Sequence, residues 1–129
     1  MKKDIETREE LEAFLWTFYE KAFVDKLIGR FFTEVVPLDL NIHVPVIANF
    51  WESVVFNKPN YRKNVMEVHQ HIHHLSKIKK EHLDRWVDIF TSTLGENFEG
   101  STTELMKQRA RSIATLMDIK LNHEGVSKT

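Results

Sequence analysis

Histidine is the residue type with the most chemistry to offer here. The chain has seven, and His69, His71, His73 and His74 crowd into six consecutive positions. On a helix His69 and His73 stand one turn apart, a spacing that suits a divalent metal, and nearby His82 is a candidate to complete such a site. The plainer reading has His71, His73, His74 and His82 as polar side chains facing water. His69 is different because it follows the apolar Val65, Met66 and Val68. If this segment packs, the ring of His69 turns inward and needs a hydrogen-bond or metal partner. Three further polar-tipped residues stand in apolar stripes: Tyr19 beside Phe18, His43 before Val44 and Val46, and Trp86 between Leu83 and Phe90. Taken singly, each reads as a core or boundary residue whose polar atom the backbone satisfies. Taken together on separate helices, with an inward histidine and abundant Phe between them, they describe a cavity with a few donors and one metal ligand.

The elements that must position these residues are helices. Only four glycines and three prolines interrupt 129 residues, and apolar positions recur at three and four rather than two. Thr7 and Glu10 have capping-box spacing ahead of a first helix, whose stripe is Leu11, Phe14, Leu15, Phe18 and Ala22. A short piece with Leu27, Ile28, Phe31 and Phe32 gives way to a break near Pro37. The next long helix carries Ile47, Phe50, Trp51, Val54 and Val55; a start as early as Asp39 would place Pro45 inside it and kink it. Residues 57–64 read as a polar loop, and a brief helix runs from Val65 towards His74. A strong helix with Leu83, Trp86, Val87, Phe90 and Leu94 is expected to stop near Gly95. Ser101 and Glu104 then suggest a second capping box, opening a helix with Leu105, Ala110, Ile113, Met117 and Leu121 on one face. One domain over 1–129 is expected, with loosely ordered ends at 1–4 and 122–129, as either a four-helix bundle or a globin-like sandwich.

Composition narrows the function. Eighteen Lys and Arg against nineteen Asp and Glu leave a net charge of −1, which gives no field to draw nucleic acid or an anionic membrane. The absence of cysteine excludes disulfides, thiolate metal sites, iron–sulfur clusters and covalently attached haem. No Gly-rich phosphate loop, GxSxG elbow or HExxH occurs, which argues against nucleotide-dependent and serine-hydrolase chemistry. Met1 to Glu10 turns acidic without reaching a signal-peptide or membrane-span pattern, so the cytoplasm is the expected location. What would suit the imagined cavity is a flat aromatic cofactor. Iron in haem needs an axial imidazole on one side, apolar contact around the ring, and donors on the open side.

The chain resembles the truncated haemoglobin family, and specifically its third group, over roughly Ile5 to Leu121. The residues that carry the resemblance are Phe18-Tyr19-Glu20-Lys21, Phe31-Phe32, His43 with Asn49-Phe50-Trp51-Glu52, Asn60-Tyr61, Val68-His69 and Leu83-Asp84-Arg85-Trp86. Their order and joint spacing are specific where no single one is. The paired interhelical glycines of groups one and two are missing, which fits the third group. The resemblance implies an all-α, shortened globin fold, a two-over-two helical sandwich around a non-covalent haem b. It implies His69 as the proximal iron ligand and Tyr19, His43 and Trp86 as distal ligand-binding residues. Phe32, Ile47, Phe50 and Trp51 would line the haem, with Tyr61, Arg62 and Lys63 as candidates to meet its propionates. The expected partner is dioxygen or another small diatomic ligand, with peroxidase-like or nitric-oxide-related redox chemistry and an external reductase as further options. Two alternatives stand beside this: a haem-free helical interaction module, which would have a packed interior, and a histidine-based metal site.

Overall fold

The computed structural model describes residues 2–58 and 65–123, the side chains of 65–68 excepted. Helix α1, Arg8–Phe23, opens on the expected capping box. Thr7 Oγ1 accepts the Glu10 N–H at 3.2 Å, and Glu10 Oε1 accepts the Thr7 N–H at 3.0 Å. Its apolar stripe is buried as the spacing predicts, with Tyr19 added to it. Beyond the helix, the Asp25 carboxylate accepts the N–H groups of Leu27 and Ile28 and turns the chain back. Gly29 follows where the backbone passes so close to the Phe23 carbonyl that any Cβ would collide with it. This close approach delivers Phe31 and Phe32 beneath α1. They begin a π-helical turn, Phe31–Val35, in which the Val36 N–H donates to the Phe31 carbonyl at 3.1 Å. Such turns are rare and gather at functional sites.

Helix α2, Leu40–Val55, begins at the early position: Asp39 is its N-cap and accepts the Asn41 N–H at 3.0 Å. Pro45 therefore lies inside the helix, where its missing N–H leaves the Asn41 carbonyl without its usual partner. Arg8 of α1 holds this stretch in place. Its guanidinium donates to the Pro45 carbonyl at 3.0 Å, to Asn49 Oδ1 and Glu52 Oε1 at 2.7 Å each, and to Glu12 Oε2 at 2.8 Å. Glu52 is buried, so this ion pair is a hydrogen-bonded one away from water.

Helix α3 is Val65–Leu75, α4 is Lys80–Asn97 and α5 is Ser101–Asn122. Two expectations fail here. Gly95 does not stop α4, which runs on to Asn97; the left-handed conformation that makes glycine a terminator occurs among the described residues only at Asn57 and Gly100. Nor do Ser101 and Glu104 cap α5. Gly100 is the N-cap, with φ at 141°, and no side-chain cap comes from the helix itself. Asp4 replaces it from the other end of the chain, accepting the Thr102 and Thr103 N–H groups at 2.9 and 2.8 Å and the Thr103 hydroxyl at 2.7 Å. Lys3 pairs with Phe98, and the Glu99 N–H donates to its carbonyl at 3.0 Å. Lys3 and Asp4, in the stretch expected to be loose, are thus both tied to the start of α5.

α1 packs on α2 and on α4, α4 packs on α5, and α2 also touches α5, giving two crossed helix pairs. α3 bridges the π-helical turn and α5. Apart from the Lys3–Phe98 bridge, no strand occurs among the described residues. No helix among them is long and apolar enough to cross a membrane.

Candidate functional site

Where the helix pairs cross, the core does not close. A cavity of about 270 Å³ lies between α1, the π-helical turn, α2, α3, α4 and α5. An interior without a bound group would be filled to crystal-like density, so the packed interior expected of the interaction-module alternative is not what the structure has. One wall is a chain of aromatic rings: Trp51 and Trp86 stack on Phe90 with centroids 5.1 and 5.2 Å away, and Phe18 meets Phe90 edge-on at 5.3 Å. Each such pair adds about 0.5–1.5 kcal/mol to simple burial. The wall is therefore stiff.

The polar lining is sparse and comes from separate helices. Tyr19 of α1 and His43 of α2 meet inside, with the hydroxyl 2.9 Å from the imidazole Nε2. Tyr19 is buried and its ring also sits edge-on to Phe32 at 5.8 Å. His43 points into the cavity although it stands two residues before Pro45. Trp86 of α4 reaches the same space. His69 enters from α3, half-buried. Phe32, Ile47, Phe50 and Trp51 complete the set, so eight of the residues singled out from sequence line one cavity. Tyr61, Arg62 and Lys63 fall outside the described residues, as does the Asn60-Tyr61 motif.

The extra histidines are sorted by geometry. His71 and His74 are exposed, as the plain reading has it. His73 turns its Nδ1 to the Ile78 N–H at 2.9 Å and so fastens the turn between α3 and α4. His82 corrects the expectation of a water-facing side chain: it is only 9% exposed and lines the cavity. Its Nδ1 accepts the Lys79 N–H at 2.9 Å at the start of α4, and its ring lies edge-on to Phe31 at 5.0 Å. Burial pushes its pKa below the ordinary imidazole value, Arg30 and Lys79 push the same way, and Glu81 opposes them. Among the described residues no three His, Asp or Glu side chains gather as a metal cluster, so His69, His73 and His82 do not form the metal site entertained from sequence.

Sequence reasoning passed over His82, Ile72 and Met117 as lining residues. For His82 the signal was there: positions 82, 86 and 90 lie on one helical stripe with Trp86 and Phe90.

No family model matches the chain. The group 3 truncated hemoglobin of Campylobacter jejuni is 24% identical to it over 118 residues, spanning 89% of this chain and 91% of that protein. The crystal structure of the group III truncated hemoglobin from Campylobacter jejuni superposes with a TM-score of 0.82 at 24% identity, covering 95% of this chain and 97% of the other. The chain is similar to group III truncated haemoglobins in sequence, and its fold is the truncated-globin fold.

Proposed function

We propose that this chain is a group III truncated haemoglobin that holds a non-covalent haem b in the cavity and binds dioxygen or another small diatomic ligand there. One observation carries the reading: a histidine from α3 and the donors Tyr19, His43 and Trp86 from α1, α2 and α4 converge on an otherwise apolar space between crossed helix pairs. The residues fit the group. Its flat hydrocarbon ring asks for the aromatic and aliphatic walls, and its metal asks for a neutral imidazole.

Haem, when bound, supplies an iron with a coordination position for a diatomic ligand. His69 is the residue assigned to hold it. Tyr19 and Trp86 supply donors to the ligand, the tyrosine doing so when His43 carries its proton on Nε2 and donates it to the Tyr19 oxygen, which leaves the hydroxyl proton free. Phe32, Ile47, Phe50 and Trp51 exclude water and lower the local dielectric, which strengthens each of those hydrogen bonds. Tyr61, Arg62 and Lys63 are assigned to the propionates by charge and hydrogen-bonding capacity. The same donors suit peroxidase-like or nitric-oxide-related redox chemistry, which calls on an external reductase, in the cytoplasm.

The test is a titration of the purified chain with haemin followed by visible absorption. The expected result is a saturable Soret band at one haem per chain. Spectra that remain those of free haemin would overturn the reading.

A further inference from the structure

His82 lines the same cavity without holding the iron or its ligand in the proposed function. Its Nδ1 is taken by the Lys79 N–H at 2.9 Å, so that nitrogen is an acceptor and the proton of the neutral ring sits on Nε2. The ring is nine-tenths buried in the cavity wall. No hydrogen bond to Nε2 exists among the described residues, where Phe31 presents only its ring. The ring lines the cavity, so an acceptor held there meets a donor that no described residue engages. Burial favours the neutral ring, with Arg30 and Lys79 acting in the same sense and Glu81 against it, so the donor is a neutral N–H.

Resting on the haem reading, we infer that His82 is a cofactor-positioning residue whose Nε2–H donates to a carboxylate of the haem. The strong acceptors on the edge of this otherwise apolar macrocycle are its two carboxylates. Arg30 lies on the same side, its guanidinium 4.6 Å above the Phe31 ring and bonded to Ser76 Oγ at 2.7 Å. It puts a positive charge beside the Phe31 wall against which His82 rests. His82 thereby joins two tasks in one ring: Nδ1 starts α4, the helix that carries Trp86, and Nε2 fixes how the cofactor sits against that helix.

The two nitrogens can be separated by substitution. In His82→Asn the amide oxygen replaces Nδ1 and keeps the helix start, while the cavity donor is lost. In His82→Gln the amide nitrogen replaces Nε2 and the helix start is lost. Haem dissociation is measured by transfer to an excess of an apo-globin acceptor, with haem and with its dimethyl ester, which keeps ring and iron and removes the carboxylate charge. His82→Asn is expected to lose haem about tenfold faster than the parent, and the ester at the parent's rate for the ester. His82→Gln is expected to keep haem close to the parent's rate at a lower melting temperature. A nitrogen-resolved proton spectrum supplies a readout independent of exchange: the His82 Nε2–H should shift and become protected when haem binds. Unchanged haem loss in His82→Asn, equal acceleration with the ester, or an unmoved Nε2–H would each overturn the inference. A parent chain that takes up no haem at all would instead overturn the functional reading beneath it.

Discussion

A tyrosine hydroxyl stands 2.9 Å from an imidazole nitrogen in a largely apolar cavity, and in the proposed reading it is the ligand's donor, with the His43 proton on Nε2 and given to the tyrosine oxygen. Orienting it beforehand removes the entropy that a freely rotating hydroxyl loses on meeting a ligand, and the dry surroundings strengthen the bond it then makes. Tyr19→Phe deletes this donor while keeping most of the ring volume. It is expected to speed dioxygen release about tenfold, measured by stopped-flow displacement; an unchanged rate would remove Tyr19 from the mechanism. At this scale the sequence was readable where a polar tip interrupts an apolar stripe, which is how Tyr19, His43, His69 and Trp86 stood out. It was opaque for the bonds that His73 and His82 make. Both are occupied through Nδ1 by backbone N–H groups at the turn from α3 to α4, and such a bond depends on where the helix starts to within one residue. A cluster of imidazoles therefore resembled a metal site in one dimension and proved to be partly fastening in three.

Among the elements, α5 is the instructive one. Its Ser101–Glu104 spacing matched a capping box, yet its free N–H groups are met by Asp4, almost a hundred residues away. Gly100 is where this becomes possible, since a Cβ there would strike the Asp4 carboxyl. Local rules see α1, whose cap is three residues off, and miss a partner delivered by tertiary packing. Pro45 teaches the converse: α2 continues through a residue that ought to disrupt it, and Arg8 of α1 braces that stretch through the Pro45 carbonyl, Asn49 and Glu52. Asp4→Ala is expected to cost about 1–2 kcal/mol in denaturant unfolding. The carboxyl of Asp4 carries a pH signature as well. Burial alone would raise its pKa, but the bonds from Thr103, Thr102 and Ile5 outweigh that and hold it below the ordinary carboxylate value. Its stabilisation is accordingly complete above about pH 4 and lost as acidification passes the folded-state value. The variant should show a shallower loss of stability in that range, and equal acid sensitivity in both proteins would contradict the assignment.

For the whole molecule, helix periodicity and the scarcity of glycine and proline were enough to indicate an all-helical chain, and the order of the key residues matched a shortened globin. Which helices cross was not written in any single stripe. A face such as Leu15, Phe18 and Tyr19 serves core and cavity alike, and only the packing of α1 on α2 and α4 divides it between them. The cavity itself follows from that crossing: the aromatic wall is fully engaged in ring contacts, yet a space of about 270 Å³ is left in front of it. Filling it with hydrocarbon would have been the ordinary outcome for a domain whose purpose was only to fold. The central claim is that His69 holds a haem iron in this space. Its most direct test compares the visible spectra of His69→Ala and His73→Ala after reconstitution with haem. His73→Ala, which loses only the bond to the Ile78 N–H, is expected to retain the spectrum of an imidazole-ligated haem, whereas His69→Ala is expected to lose it. Survival of that spectrum in His69→Ala, with its loss in His73→Ala, would contradict the assignment.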